Sequence, residues 1–424
     1  MKPKNKFQQE VVELSKTLPS ITEEQKQWAY KHLFTHIGRR LRSGKITCME
    51  CGASWQSEHR LAESICGCTC PNCNTELTIQ DTRKHKSKEI EYLCIVTKHK
   101  GYQVIRFFYM EQVAKAGEKV YYYSTEVVQR WIAPNGKYAT LAMLRPMFCW
   151  TDCWQWSSEL ELRPEKPLYD IMPTKVYPKM QIIPEIKRNG FKGNFYGLTP
   201  FEMLHTILTN NRTETLLKTK QYALLKHFVR HSLRGIDNYW NSIRIAIRNG
   251  YIIKDGSMWC DYIDLLNYFG KDTLSPKYVC PDNLKLQHDR LMNKREKREE
   301  QLRLERERQR AIEQEDSFKE LKGKFFGITF TDGVICVRVL ESVQEHYDEG
   351  RAMKHCVSSY HSRANSLIFS ATIDGKRIET IEVSLETLKV VQCRGICNKN
   401  TDYHDQIINL VNNNRKLIEQ RMVA

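Results

Sequence analysis

The sequence predicts an α+β multidomain protein, and three regions with different residue patterns support that class. Two closely spaced cysteine pairs occupy residues 46–80, and β-branched and aromatic runs separated by turn dipeptides occupy residues 81–162. Residues 283–322 are almost entirely charged or strongly helix-forming. We therefore expect an N-terminal helix and zinc ribbon, an antiparallel β meander, a central helical region with a long charged helix, and a small C-terminal α+β domain.

Shifts in composition divide the chain into seven segments. Prolines mark the connector. The few leucines of the long charged helix do not sustain a heptad repeat, so we favour a spacer or lever over a coiled coil for that helix. The expected segments are an N-terminal helical segment at 1–45, a zinc ribbon at 46–80, an antiparallel β domain at 81–162, a connector at 163–194, a helical domain at 195–282, the long charged helix at 283–322 and a C-terminal α+β domain at 323–424.

The N-terminal segment has a helical pattern. Ser20 and Glu23 match a capping box, in which the Ser side chain binds an unpaired amide and the Glu reaches back. The apolar residues that share one face of the predicted helix are Tyr30, Leu33, Phe34, Ile37 and Leu41. The cations at its C-terminal end, which suit either the helix dipole or a phosphate contact, are Arg39, Arg40, Arg42 and Lys45.

Cys48-x-x-Cys51 and Cys70-x-x-Cys73 are the strongest signal in the chain. The 18 residues between the two pairs fall inside the spacing of four-thiolate zinc sites. Two residues between thiols let one tight turn direct both sulfurs at one ion, and two such turns complete a tetrahedron. Cys66 and Cys68 leave an alternative open, because either could replace Cys70. Four thiolates leave no open coordination position, so we expect a structural rather than a catalytic zinc ion.

The composition favours a soluble protein with an anionic partner. The 424 residues carry 66 Lys and Arg against 50 Asp and Glu, and this net charge of +16 favours nucleic acid over the alternative of a merely basic protein. No apolar run reaches the roughly 18 residues that a membrane span needs, and the basic N-terminus lacks the apolar core of a signal peptide. Fifteen cysteines in such a chain indicate metal ligands and reduced thiols, so we expect a cytoplasmic protein without a membrane partner.

Two motifs of the C-terminal segment are candidates for a site. One runs from Met353 to Tyr360 after a predicted helix, and the other runs from Gln392 to Asn398 at the end of a predicted strand. Side chains alternate along a strand, so Gln392 and Arg394 share one face while Val391 and Cys393 share the other. Gly395 would let the backbone approach a ligand. The candidate residues of a polar pocket for phosphate or a base edge are His355, Cys356, Tyr360, Gln392, Arg394 and Asn398.

A purely structural role for these residues is the alternative. His355 and Cys356 could supply a base and a thiol, but neighbours on a helix point about 100° apart. Cys356 would then be a small buried hydrophobe and Arg394 an ion-pair partner.

Other motifs carry less weight. His288-Asp289 lacks the further ligands of a metal-dependent phosphohydrolase, so a surface or packing role is favoured. The spacing of Cys336, Cys356, Cys393 and Cys397 disfavours a second metal site. The sequence has no phosphate-binding loop, nucleophile elbow or zincin motif.

The C-terminal motifs resemble the PcfJ-like family, which is found on conjugative plasmids, integrative elements and phages of bacteria. The matching residues are Met353-Lys-His355-Cys356-Val-Ser-Ser-Tyr360 and Gln392-x-Arg394-Gly395-x-x-Asn398. The stretch from Cys280 to Asp289 and the cysteine-rich region ahead of the meander are also similar to that family. The resemblance implies a bacterial cytoplasmic protein encoded by a mobile element. It implies no established reaction, but it adds weight to the six pocket residues.

Three functions fit these observations. The first is a zinc-ribbon, nucleic-acid-binding accessory protein that acts in DNA transfer or maintenance of a mobile element. The second is a structural adaptor whose long helix bridges the zinc and C-terminal regions and whose partners are other mobile-element proteins. The third is an enzyme acting on nucleic acid or a nucleotide, with His355 or Cys356 as base or nucleophile and Arg394 as phosphate clamp.

Overall fold

Three sheets and fourteen α-helices are present in the computed structural model, which describes residues 1–146, 153–172 and 175–423. The chain divides into a first unit, Met1–His288, and a second unit, Asp289–Ala424. The first unit contains two of the sheets and the second contains one. The predicted α+β class is therefore confirmed.

Two helices precede the first sheet. They are α1 (Lys6–Lys16) and α2 (Glu23–Leu33). Thr22 and Gln25 form the reciprocal capping box that begins α2. The predicted box of Ser20 and Glu23 is wrong by two residues, because the hydroxyl that accepts from the third helical amide belongs to Thr22.

The helix predicted to continue to Leu41 ends at Leu33, because the residues that follow pair as a strand. The first sheet contains β1 (Ile37–Arg40), β2 (Lys45–Cys48), β3 (Ser54–Gln56), β4 (Cys68–Thr69) and β5 (Glu76–Asp81), in the order β3-β2-β1-β5-β4. A short helix, α3 (Arg60–Cys66), joins β3 to β4. Arg40, predicted to lie at a helix end, is instead buried on β1, where its guanidinium donates hydrogen bonds to the carboxylates of Asp81 and Glu63.

The second sheet is a meander with one parallel edge strand. Its strands are β6 (Lys86–His99), β7 (Tyr102–Lys115), β8 (Tyr121–Ile132), β9 (Tyr138–Ala142), β10 (Glu161–Arg163) and β11 (Lys175–Val176), in the order β10-β9-β8-β7-β6-β11. Lys100 and Gly101, with φ of 46° and 87°, form the tight turn between β6 and β7. β11 pairs in parallel with β6, so the region predicted as a connector adds a strand to the sheet.

One face of this sheet is covered by the N-terminal helices. α2 buries Ala29 and Leu33 against Leu93 and Phe108 of the sheet. α1 buries Val11 against a separate cluster that includes Trp131. The apolar side chains of both helices thus pack on the same sheet.

Short helices complete the first unit. They are α4 (Pro184–Arg188), α5 (Pro200–Thr209), α6 (Asn211–Lys218), α7 (Tyr222–Arg230), α8 (Ile236–Arg248), α9 (Gly256–Tyr268) and α10 (Pro276–Val279). The next helix, α11 (Leu284–Lys322), has 39 residues and crosses the boundary between the units. At 1.5 Å per residue it is about 58 Å long. Leu302 and Ile312 are exposed on it, which agrees with the absence of a sustained heptad.

The second unit is a five-stranded antiparallel sheet with helices. Its elements after α11 are β12 (Thr329–Thr331), β13 (Cys336–Val339), α12 (Val343–Met353), β14 (Ser366–Ile373), β15 (Lys376–Ser384), β16 (Val390–Arg394), α13 (His404–Asn413) and α14 (Arg415–Val423). The strands follow one another in chain order. Ile407, Val411 and Ile418 of the last two helices join the core of the sheet.

Candidate functional site

Two turns of the same geometry present the four predicted thiols. In the first turn the amide of Gly52 donates to the carbonyl of Cys48 at 3.0 Å, and in the second the amide of Asn74 donates to the carbonyl of Cys70 at 3.0 Å. Gly52 and Asn74 have φ of 80° and 59°, a region that Gly and Asn enter at low cost. The sequence pattern Cys-x-x-Cys-Gly/Asn therefore encodes a repeated knuckle.

The four sulfurs have the spacing of a tetrahedral metal site. The Sγ atoms of Cys48 and Cys73 are 3.8 Å apart, and those of Cys51 and Cys70 are 3.7 Å apart. All four lie within 4.8 Å of one another. A tetrahedron with metal–sulfur bonds of about 2.3 Å has edges of about 3.8 Å. The cluster therefore fits one tetrahedral ion and leaves no fifth position for a substrate.

Backbone amides direct their hydrogens at these sulfurs. Amides of Glu50 and Cys51 bond the sulfur of Cys48, and the amide of Ala53 bonds that of Cys51. Burial raises the pKa of Cys48, whereas at Cys51 the hydrogen bonds outweigh burial and lower the pKa to about 7. Amide donors of this kind stabilise the thiolate form that metals bind.

Cys70 rather than Cys66 or Cys68 lies in the cluster. Cys66 is exposed at the end of α3, and Cys68 lies on β4 outside the group of four. The apolar cluster around the buried thiols includes Leu77. Ile46 and Ile79 of the same sheet are also buried and lie with Leu77 around Gly38. This aliphatic core is small, so a metal ion would add to the folding energy of this sheet.

The first knuckle also contacts the second sheet. The Glu50 carboxylate accepts hydrogen bonds from the Gln112 amide at 2.9 Å and the Tyr122 hydroxyl at 2.7 Å. A Cβ atom on Gly52 would lie 2.7 Å from the backbone carbonyl carbon of Gly117, so only glycine allows this approach. The knuckle is thus fixed against the β7–β8 hairpin. Sequence reasoning missed Glu50, although its place between the two cysteines was a usable signal.

In the second unit all six predicted pocket residues line one cavity. They are His355, Cys356, Tyr360, Gln392, Arg394 and Asn398. The space between them is about 480 Å³, part of it open to solvent. Thr380 and Glu382 of β15, which the sequence did not single out, also line it. β-strand pairing explains their presence, because Thr380 lies opposite Arg394 and Glu382 lies opposite Gln392.

The first motif enters the cavity from an irregular segment after α12. Lys354 ends that helix in the left-handed region with φ of 56°, and His355 is extended. Cys356 then begins a 3₁₀ helix that ends at Ser362. The two candidates therefore do not lie on one α-helix, and the expected angle of about 100° between their side chains does not apply.

The second motif enters from β16, which carries a bulge. Gln392 and Arg394 line the cavity while Cys393 is buried on the opposite face. Val391, predicted to share the core face, is 63% exposed because the register shifts beside it. The structure gives Gly395 a packing reason, because a Cβ there would lie 3.0 Å from the carbonyl oxygen of Ile378, and approach of a ligand at this residue stays a prediction.

Polar and apolar side chains line the cavity, among them one cation, Arg394, and one carboxylate, Glu382. Arg394 donates a hydrogen bond to the amide oxygen of Asn400 and has no carboxylate partner among the described residues. Glu382 is bonded by Arg363, whose guanidinium carbon also lies 3.4 Å from the centroid of the Tyr360 ring. Burial lowers the pKa of His355, which keeps the imidazole neutral at pH 7. Its Nε2 is buried and has no hydrogen-bond partner among the described residues.

A buried carboxylate holds the end of the second motif in place. Glu379 on β15 accepts from the Cys393 thiol at 2.8 Å, the His404 ring at 2.8 Å, and the amide and hydroxyl of Thr401, both at 2.7 Å. Burial would raise the pKa of Glu379, but these hydrogen bonds together lower it. Four donors satisfy the carboxylate fully, so we interpret this group as a structural link between β15 and the segment after Arg394.

Other sequence candidates are not brought together. His288 and Asp289 lie on α11 and belong to no group of metal-ligating side chains in the part of the chain that the structure describes. Cys336, Cys356 and Cys397 likewise belong to no such group there, and Cys393 groups with Glu379 and His404 rather than with another cysteine. None of the described helices has both the length and the apolar character needed to cross a membrane.

The fold and its two sites define an α+β protein with a four-thiolate cluster in one unit and a cation-bearing cavity in the other. Residues 258–408, about a third of the chain, match the family model described as PcfJ-like protein. That stretch contains all six predicted cavity residues and the whole of α11. The resemblance predicted from the C-terminal motifs is therefore confirmed. Neither the curated proteins nor the solved structures gave a match.

We expect the purified full chain to contain one tetrahedral metal ion, and Cys73→Ser to lose it. Cys73 is exposed, so its substitution removes a ligand with little loss of packing. Elemental analysis of the wild-type and variant proteins measures the metal content directly. The free energy of unfolding of the cluster-bearing sheet should fall together with the metal content.

Cys66→Ser is the matched control, because Cys66 is an exposed thiol in the same region outside the cluster. It should retain the metal. A metal-free wild type, or a Cys66 variant that loses metal while the Cys73 variant retains it, would contradict the assignment.

Proposed function

We propose that this protein is a nucleic-acid-binding accessory protein of a bacterial mobile element, cytoplasmic, with a structural zinc ion in its first unit. The match to the PcfJ-like family supports the mobile-element origin. The thiolate set supports zinc, because four sulfurs in a tetrahedron are its usual structural environment. The closed coordination supports a scaffold role for the ion rather than a catalytic one.

The uneven distribution of charge is the observation that carries the nucleic-acid proposal. Met1–His288 contains 42 Lys and Arg against 28 Asp and Glu, a net charge of +14. Asp289–Ala424 contains 24 against 22, a net charge of +2. An excess confined to the metal-bearing unit is typical of a surface that neutralises phosphates, whereas a generally basic protein would spread it over both units.

The region around α8 presents part of this excess to solvent. Arg234, Arg244 and Arg248 are exposed, and none has a carboxylate partner among the described residues. Arg244 and Arg248 are four residues apart on α8 and therefore share one face of the helix. Asn241 is exposed three residues ahead of Arg244. Arginine and asparagine on one helical face can donate hydrogen bonds to phosphates and to base edges.

We expect the full chain to bind nucleic acid with an affinity that falls at least about tenfold between about 50 and about 200 mM salt. Replacing Arg234, Arg244 and Arg248 with Gln should reduce the slope of log affinity against log salt by about 1 for each phosphate that these side chains neutralise in the wild type. Fluorescence anisotropy with labelled oligonucleotides over a salt series measures both quantities.

Replacing Lys376, Lys389 and Lys416 with Gln is the charge-matched control, because all three are exposed lysines of the nearly neutral second unit. Their slope should equal that of the wild type. Weak binding that does not change with salt would contradict the proposed function.

The cavity of the second unit favours a second candidate function, an enzyme that acts on nucleic acid or a nucleotide. Arg394, which has no carboxylate partner among the described residues, and the neutral imidazole of His355 line the same cavity. The Nε2 atom of His355 has no hydrogen-bond partner among the described residues. Arg394 would hold a phosphate, and His355 would accept or donate a proton. The exposed thiol of Cys356 lies at the same cavity and is the candidate nucleophile.

This second function predicts that His355→Ala and Arg394→Ala each lower turnover by at least about 100-fold. Nucleoside triphosphates and oligonucleotides are suitable substrates, with phosphate release and strand cleavage as readouts. Ile396→Ala is the control, because Ile396 is an exposed residue within the motif that does not line the cavity. Equal turnover in all four proteins would remove the enzymatic function and leave nucleic-acid binding unaffected.

A further inference from the structure

The second sheet has an outer face that carries exposed aromatic rings at the end near the β7–β8 hairpin. We call Tyr121, Tyr123 and Trp156 the aromatic face. Their exposed fractions are 62%, 39% and 45%. Large aromatic side chains are normally buried in a protein core, so three exposed together mark a binding surface.

Strand register places two of these rings on one side of the sheet. Tyr121 lies opposite Val113 and Tyr123 lies opposite Glu111 on β7. Directly opposed residues of an antiparallel pair share a face, and Tyr122 between them points to the other side. Tyr122 stacks there on Tyr30 of α2, at 4.1 Å between ring centroids. Helix α2 therefore covers the side of β8 that carries Tyr122, whereas Tyr121 and Tyr123 on the other side are exposed to solvent.

The rings are held by a buried partner. The Tyr109 ring is 1% exposed and lies 4.7 Å from Trp156 and 6.3 Å from Tyr123, measured between centroids. Trp156 and Tyr123 are themselves 6.3 Å apart at an angle of 83°. The Tyr109 hydroxyl donates to Glu111 at 2.6 Å, which fixes the supporting ring. Rings that are exposed yet positioned lose little conformational entropy when a ligand stacks on them.

Lysines border the aromatic face on the neighbouring strands. Lys86 and Lys88 of β6 and Lys115 of β7 are exposed on the same side of the sheet. Lys88 pairs with Glu111 at 3.0 Å, and Lys115 pairs with Glu118. Both lysines are exposed, and surface ion pairs are weak, so these ammonium groups can turn to an incoming anion. Lys86 also lies close enough to Glu111 to lower the pKa of that carboxyl through its charge.

We propose that the aromatic face binds single-stranded nucleic acid, with unpaired bases stacked on its rings and the backbone phosphates on the bordering lysines. This rests on the proposed nucleic-acid binding and adds to it the kind of strand and the surface. Stacking needs bases that are free on one face, which a duplex does not offer. Every base has such a face, so the binding should depend weakly on sequence.

Anisotropy titrations of the full chain with labelled strands of about 20 nucleotides test this proposal, since single-strand sites of known folds occupy about 4–16 nucleotides. An oligo-dT strand, an oligo-U strand and a mixed-sequence duplex are the three probes. We expect Tyr121→Ala with Tyr123→Ala to weaken binding of the single strands at least about tenfold and to change duplex binding much less. The comparison of dT with U separates DNA from RNA preference.

Two variants control for folding and for chemistry. Tyr121→Phe with Tyr123→Phe keeps both rings and should keep single-strand affinity near that of the wild type. Tyr403→Ala removes an exposed tyrosine of the second unit and should change nothing. Metal content should be equal in all of these proteins, which shows that the cluster-bearing sheet is intact.

The outcomes separate this inference from the proposed function. If the Tyr121→Ala, Tyr123→Ala variant retains salt-dependent binding of single strands, the aromatic face is not the binding surface. The proposed nucleic-acid binding would be unaffected by that result. Loss of affinity in the Phe variant equal to that in the Ala variant also overturns the aromatic face, because the hydroxyls rather than the rings would then be responsible. A wild type that binds none of the three probes overturns both proposals.

Discussion

The tetrahedral spacing of four sulfurs is the constraint on which the first unit depends most. Cys48 and Cys51 lie in one knuckle and Cys70 and Cys73 in the other, so one ion would join parts of the chain that are far apart in sequence. The aliphatic core of the same sheet is small and includes Leu77, Ile46 and Ile79. The first knuckle also fixes the β7–β8 hairpin, whose outer side carries the aromatic face. A bound metal would thus stabilise both the small sheet and the surface proposed to bind nucleic acid.

In the second unit a buried carboxylate, that of Glu379, holds the irregular segment after Arg394 in place. Glu379 accepts hydrogen bonds from Cys393 on β16, from the amide and hydroxyl of Thr401, and from His404 at the start of α13. This link lets β16 end beside the cavity with Arg394 directed into it. The two units therefore differ in charge and in the chemistry of their sites.

Local spacing made much of this predictable from the sequence. The two cysteine pairs, the turn dipeptide Lys100-Gly101 and the alternation of Gln392 and Arg394 each depend on a few neighbouring residues. Errors arose where distant pairing decides the outcome. Ile37–Arg40 has a helical pattern but forms a strand because β2 and β5 are available on either side. The bulge at Val391 and the carboxylate of Glu379 depend on contacts that no local pattern records.

Hydrogen–deuterium exchange of the full chain, with its metal and after chelation, tests the central role of the thiolate cluster most directly. We predict that chelation increases exchange in residues 37–81 and in the β7–β8 hairpin around residues 112–123, while exchange in Asp289–Ala424 stays the same. Exchange in residues 37–81 that does not respond to chelation, or that rises equally in both units, would contradict this account.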